Sequence, residues 1–206
     1  LDVAHLLSEA DLTMLNFNGN ISGEPYGTER TSAPNQLLQA LRSAGGDLIQ
    51  MANSCTINNG LLGLADTLDA IRAKVKACGA DFGAAFDGDA DRCIAVDENG
   101  NVVDGDAMLY ILGKRLKDRG MLNGDTVVAT IMSNSGLISS LDKIGIKCAQ
   151  TTVGDRFVYE CMQENDYCLG GEQSGHIILK KYATTGDGLL TAIMVTEEVC
   201  DRKTSL

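Results

Sequence analysis

Phe82-Gly83-Ala84-Ala85-Phe86-Asp87-Gly88-Asp89-Ala90-Asp91-Arg92-Cys93-Ile94-Ala95-Val96 consists of two short apolar runs on either side of a tight acidic turn. Neither run is long enough for a helix, so the segment reads as strand, loop, strand. Directly after it, Asp97-Glu98-Asn99-Gly100-Asn101 places an Asn-Gly pair before Val102-Val103, which is a hairpin signal. The three aspartates therefore lie between strands, not between helices.

On both sides of this centre, strand-like runs alternate with helix-like stripes, the pattern of α/β architecture. Leu64, Leu68, Ile71, Val75 and Cys78 form a helix face that stops at Gly79. Asp47 to Met51 is expected as a strand. Ser32-Ala33-Pro34 reads as a helix start, with Ser32 as cap, Leu37, Leu38 and Leu41 on one face, and Gly45-Gly46 as the stop. Leu12 to Phe17 is a further strand, and Asn18 to Ser32 a loop of unusual length. Toward the C-terminus, Gly105-Asp106 opens a helix carrying Met108, Leu109, Leu112 and Leu116 that ends at Gly120. There follow strand Thr126 to Ile131, helix Gly136 to Ile144, strand Lys147 to Thr151, helix Arg156 to Asn165, strands Cys168 to Gly170 and His176 to Leu179, and helix Gly188 to Cys200. Two consecutive mixed-sheet α/β domains are expected, residues 1–104 and 105–206.

With 206 residues and 44% apolar composition, the chain can form two small cores. Its net charge of -11 disfavours nucleic acid and anionic lipid as general partners, yet leaves room for a locally positive pocket. No apolar run reaches the roughly 18 to 20 residues of a membrane span. Leu1-Asp2-Val3-Ala4-His5 has no basic stretch leading into a signal core, so a cytoplasmic location is expected. The seven cysteines contain no CxxC pair and the two histidines, His5 and His176, are far apart, so zinc-site spacing is absent. Reduced thiols, mostly buried, fit this pattern.

Asp87, Asp89 and Asp91 can converge on one point, because Gly88 and Ala90 leave the turn free to curl. Hard oxygen ligands select Mg²⁺ or Ca²⁺, and three anions this close repel one another without a cation. A solvated acidic turn is the plain alternative. A calcium loop is the sharper one, since Glu98 stands twelfth from Asp87, but Arg92 occupies the sixth place where that loop needs glycine, and the flanks are strands. Arg92 can hold a phosphate beside the metal or simply pair with the aspartates.

Gly171-Glu172-Gln173-Ser174-Gly175-His176 sets polar side chains on a glycine-flanked backbone, which suits paired sugar hydroxyls. Glu172 and Ser174 would point the same way if the segment is extended. His176 is a candidate for proton transfer or phosphate contact, with a structural role as the alternative. Val153-Gly154-Asp155-Arg156 could offer a helix N-terminus and an arginine to a phosphate. Met132-Ser133-Asn134-Ser135 and Thr184-Thr185-Gly186-Asp187-Gly188 occupy junctions where ligand contact and helix capping are equally good explanations.

The ordered set Phe86 to Arg92, Gly171 to His176 and Thr184 to Gly188 resembles the α-D-phosphohexomutase superfamily. With Met132-Ser133-Asn134 and Val153-Gly154-Asp155-Arg156 added, it is most similar to the bacterial phosphoglucosamine mutases. The resemblance implies interconversion of glucosamine 6-phosphate and glucosamine 1-phosphate through a phosphoserine and a bisphosphorylated sugar, on the route to UDP-N-acetylglucosamine. It implies Asp87, Asp89 and Asp91 as Mg²⁺ ligands, Arg92 and His176 as catalytic-site groups, and Glu172, Ser174, Asp155 and Arg156 as substrate contacts. The match covers the second and third of four family domains. No phosphoserine loop or C-terminal phosphate loop of the family type is found, and Ser22 and Ser32 lie in unrelated contexts. The isolated chain is therefore expected to be inactive, with the remaining mutase domains, a hexose or hexosamine phosphate and a homodimer mate as partners. A phosphomannomutase or phosphoglucomutase fragment and a non-catalytic metal and sugar-phosphate binding module are the alternatives.

Overall fold

The computed structural model describes the backbone of residues 14–16, 20–21, 32–33 and 48–50, and residues 69, 72–73, 75–77, 79–87 and 89–202. The chain divides into two compact units, residues 1–89 with 96–101 and residues 90–95 with 102–206.

In the first unit, β1 (Met14–Asn16) and β4 (Leu48–Gln50) pair in parallel with Met14 opposite Leu48, both inside expected strands. β2 (Asn20–Ile21) and β3 (Ser32–Ala33) also pair in parallel, with Asn20 opposite Ser32. This corrects two expectations, because Asn18 to Ser32 is not loop throughout and Ser32 stands in a strand. Pro34 contributes to the latter: it drives Ala33, the residue before it, to extended backbone, so Ala33 does not begin a helix capped by Ser32. The helix expected from Pro34 to Gly46 lies outside the described residues, as do Leu64, Leu68, Ile71 and Cys78. Helical backbone is present at 69, 72–73 and 75–77. It closes as expected at Gly79 (φ 61), with Ala80 N–H donating to the Val75 carbonyl and Gly79 N–H to that of Lys76. β5 (Phe82–Phe86) then buries Ala84 and Phe86.

β6 (Cys93–Asp97) and β7 (Val102–Val103) follow, and the sheet order is β5-β6-β7. Asp97 holds the turn after β6. Its carboxylate accepts from the backbone N–H of Asn99 at 2.9 Å, that of Asn101 at 2.6 Å and the Asn101 side-chain amide at 2.8 Å. Burial pushes the Asp97 carboxyl up, but hydrogen bonds from Asn101, Asn99 and Gly100 outweigh it and hold the group below the usual carboxylate range.

The second unit is built on a four-stranded sheet ordered β11-β10-β8-β9. β8 (Thr126–Thr130) runs parallel to β9 (Lys147–Thr151) and β10 (Leu169–Gly171), and β11 (Ile177–Leu179) closes the edge antiparallel. Every residue of β8 is buried, as a central parallel strand covered on both faces requires. The helices are α1 (Gly105–Asp118), α2 (Ser135–Lys143), α3 (Asp155–Glu164) and α4 (Gly188–Arg202). Val128 packs with Val158 and Met162 of α3. The adjacent Val127 meets α1 at Gly113, where a Cβ would lie 2.9 Å from Val127 Cγ2. Neighbouring strand residues face opposite sides, so α1 and α3 cover opposite faces, and each fully buried aliphatic side chain contributes about 1.5 to 3 kcal/mol.

Capping explains where these helices start. Asp104 accepts from Ala107 N–H at 3.0 Å, Asn134 from Gly136 N–H at 2.8 Å and Asp187 from Leu190 N–H at 2.9 Å. Asn134 and Asp187 thus have structural tasks at their junctions. Element ends differ from those expected by a residue or two, and the mixed α/β class is as read from the sequence.

Candidate functional site

β5 delivers the chain into the aspartate loop and β6 takes it out again. Within that loop, one carboxylate oxygen from each of Asp87, Asp89 and Asp91 falls within 4.8 Å of the others. Ala90 has φ 60, a left-handed turn that costs an L-residue about 1 to 2 kcal/mol and curls the backbone between successive aspartates. Backbone clamps hold it there. Gly188 N–H donates to the Ala90 carbonyl at 2.9 Å, and Cys93 N–H donates to the Gly175 carbonyl at 3.0 Å. A Cβ on Gly188 would lie 2.3 Å from the Arg92 carbonyl oxygen, and one on Gly175 2.1 Å from that of Cys93, so only glycine fits at either clamp.

Asp91 is anchored through one oxygen. Its Oδ2 lies 3.0 Å from His176 Nδ1, whereas its Oδ1 is buried with no hydrogen-bond partner and has Arg92 Nε at 3.9 Å. Arg92 is half exposed. His176 is only 2% exposed, and its Nε2 accepts from Gly186 N–H at 2.9 Å. Proton exchange with a substrate needs an accessible ring nitrogen, and both nitrogens of His176 are engaged inside the protein.

The Gly171 to His176 segment makes a tight hairpin turn joining β10 to β11. Gly175 N–H donates to the Glu172 carbonyl and Glu172 N–H to the His176 carbonyl, both at 3.0 Å. The segment is therefore not extended, and the alternation that would align Glu172 with Ser174 does not apply; Gly175 at φ 91 makes the turn. Ser174 is exposed. Glu172 Oε1 accepts from Gly154 N–H at 3.0 Å, which joins this loop to the Val153-Gly154-Asp155-Arg156 junction at the start of α3. There Asp155 accepts from the Arg156 N–H, and the exposed Arg156 side chain pairs with Glu160 at 2.7 Å. Gly105, read in the sequence only as the opening of a helix, also serves this loop: a Cβ there would lie 2.0 Å from the Glu172 carbonyl oxygen. Glycines placed beside a polar motif were the available signal for these backbone supports.

An all-oxygen donor set with one orphaned buried oxygen, Asp91 Oδ1, suits a hard divalent cation. A cavity of about 380 Å³ elsewhere in the second unit, bordered by Arg119, Met121, Cys168, Lys180 and Tyr182, includes none of these loop residues.

Residues 104–206 match the sequence family described as Phosphoglucomutase/phosphomannomutase, alpha/beta/alpha domain III. Residues 1–103 match that described as Bacterial capsule synthesis protein PGA_cap. The phosphoglucosamine mutase of Bacillus subtilis is 59% identical over 127 residues, covering 62% of this chain and 28% of that protein. That of Bifidobacterium adolescentis is 51% identical over 169 residues, covering 82% of this chain and 37% of that protein. Both stretches are too long to fit within residues 104–206, so the identity continues into the first half. The chain spans well under half the length of these relatives. A solved phosphoglucomutase/phosphomannomutase family protein from Burkholderia thailandensis shares the fold, with a TM-score of 0.60 and 22% identity over 97% of this chain and 43% of that one.

Proposed function

Because the chain belongs to the phosphoglucomutase/phosphomannomutase family, we propose that it supplies the second and third domains of a Mg²⁺-dependent phosphosugar mutase that interconverts glucosamine 6-phosphate and glucosamine 1-phosphate. The observation that carries this is the cluster of Asp87, Asp89 and Asp91, with Asp91 Oδ1 buried and lacking a hydrogen bond. The high identity to bacterial phosphoglucosamine mutases supports the choice of substrate.

Residues 1–104 carry the metal loop and residues 105–206 the sugar loop. Asp87, Asp89 and Asp91 hold Mg²⁺, which when bound neutralises charge on a transferring phosphoryl group. Arg92 presents its guanidinium to the same group. Glu172 has one oxygen fixed by Gly154 N–H and offers the other to a sugar hydroxyl, while exposed Ser174 serves as donor or acceptor beside it. Arg156, at the exposed start of α3, exchanges Glu160 for a substrate phosphate, and Asp155 orders that turn. The phosphoserine that gives up and recovers its phosphoryl group through a bisphosphorylated sugar belongs to another domain. The reaction is placed in the cytoplasm, with assembly as a homodimer.

The test is to measure interconversion by the complete mutase and by the 206-residue chain, with and without Mg²⁺. The complete enzyme should require Mg²⁺ and lose activity by about 10²-fold or more on Asp89→Asn, whereas the chain alone should turn over nothing. Undiminished activity after exhaustive chelation would sink the metal assignment. Faster turnover of mannose or glucose phosphates would move the protein to the phosphomannomutase or phosphoglucomutase branch. A second possibility, a metal and sugar-phosphate binding module without mutase chemistry, rests on the acidic cluster alone. Metal binding by a complete protein that lacks turnover would support that one; the mutase identity reaching into the first half speaks for a single mutase.

A further inference from the structure

We propose that His176 is a positioning residue for the metal site, fixing the Asp91 carboxylate through a relay anchored on the backbone of Gly186. The inference rests on the aspartate loop being a divalent-metal site. Gly186 N–H donates to His176 Nε2 at 2.9 Å, and a nitrogen that accepts this bond carries no proton. The ring proton is thereby assigned to Nδ1, which donates to Asp91 Oδ2 at 3.0 Å.

The ring has almost no freedom to do otherwise. It is 2% exposed, and the Gly186 backbone lies so close that a Cβ there would sit 2.7 Å from both His176 Cε1 and Nδ1, and equally 2.7 Å from the Asp91 carbonyl oxygen. With Oδ2 committed to the imidazole, Oδ1 is the Asp91 atom left for a cation, and it is the oxygen that is buried without a hydrogen bond. The Thr184-Thr185-Gly186-Asp187-Gly188 segment then acquires three structural tasks. Gly186 sets the imidazole, Asp187 caps α4, and Gly188 N–H holds the strained Ala90 turn. Hydrogen-bond partners behind a metal ligand orient it and raise affinity, even though they never touch the ion.

Mn²⁺ binding by electron paramagnetic resonance and Mg²⁺ binding by calorimetry on the 206-residue chain test this, with His176→Asn, His176→Gln, His176→Leu and Asp89→Asn as variants. An asparagine amide nitrogen can take the place of Nδ1 and keep the bond to Asp91, whereas a glutamine places its carbonyl oxygen where Nε2 accepts the Gly186 N–H and loses the bond to Asp91. His176→Gln and His176→Leu should weaken binding by about 10- to 100-fold, and His176→Asn by no more than about threefold. Nitrogen-detected NMR of the wild-type chain should show His176 as the Nδ1–H tautomer. An Nε2–H tautomer overturns the proposal whether or not any variant folds. Equal losses for the Asn and Gln variants at unchanged thermal stability overturn it too. Unchanged binding in His176→Gln while Asp89→Asn abolishes it removes the positioning role and leaves the metal site standing. A wild-type chain that binds neither ion defeats the metal assignment itself and this inference with it.

Discussion

Glu172 Oε1 accepts the Gly154 N–H at 3.0 Å, so the two changes that remove its charge should behave differently. Glu172→Gln keeps an acceptor oxygen and should fold with stability near wild type while binding sugar phosphate more weakly. Glu172→Ala leaves the Gly154 N–H unpaired and should cost a further 1 to 2 kcal/mol or so in urea unfolding. Equal stability of the two variants would show that the bond to Gly154 does not brace the loop. The cysteines offer a check on burial. Desolvation pushes the Cys93 thiol up to about 12, and burial with the nearby Asp106 carboxylate pushes Cys148 up to about 11, whereas Cys200 is exposed. Thiolate is the reactive form, so alkylation at pH 8 should label Cys200 quickly and spare Cys93 and Cys148 until the chain is unfolded. Peptide mapping before and after urea treatment reads this directly, and rapid native labelling of Cys93 would contradict its place in β6.

The turn between β6 and β7 depends on one carboxylate. Because hydrogen bonds hold the folded Asp97 carboxyl below its unfolded value, its contribution is fully present above the unfolded value, near pH 4, and is lost as pH falls through the lowered folded value. Asp97→Ala should therefore cost about 1 to 2 kcal/mol at neutral pH, and its deficit against wild type should shrink in acid unfolding below about pH 4. A deficit that stays constant through that range would mean the charge is not what holds the turn. This hairpin was legible beforehand because Asn99-Gly100 announces it, and the helix end at Gly79 because a closing residue with positive φ favours glycine. α3 closes in the same way on Asp166 at φ 56, with Tyr167 N–H donating to the Met162 carbonyl, so glycine is not the only signal of such an end. The β2–β3 pair was illegible for a different reason: two-residue strands show no alternation, and a parallel pair has no tight hairpin turn to announce it. The Gly171 to His176 segment was legible as a loop between two strands, but whether it is extended was not, since a single residue at positive φ, Gly175, decides for a turn. Likewise, aspartate spacing revealed the converging carboxylates, but nothing local connects His176 to Asp91.

Within the second unit, α4 is tied to α1 at one end and to the aspartate loop at the other. Arg115 is 2% exposed and donates to Glu197, Glu198 and Asp201, while Arg202 pairs with Glu198 and Asp118. Arg115→Ala empties a buried guanidinium site and takes one of two cations from Glu198, which keeps Arg202, and should destabilise the chain by about 1 to 3 kcal/mol, whereas Arg115→Met, which refills the volume, should lose less. At the other end, Gly188 N–H holds the Ala90 carbonyl. The two attachments are separated by most of the helix, on the order of 15 Å at 1.5 Å per residue. Fraying of the Arg115 end should therefore leave the Gly188 end docked, so that in Arg115→Ala the urea midpoint falls while metal affinity stays within about threefold of wild type. His176→Gln should show the reverse, weaker metal binding with a nearly unchanged midpoint. Measured on the same preparations, these opposite patterns separate a residue that orients a ligand from one that only stabilises the chain. If both variants lose affinity in proportion to stability, the aspartate loop is sensing the integrity of the whole unit, and the specific link through Gly186 and His176 is not needed to explain it.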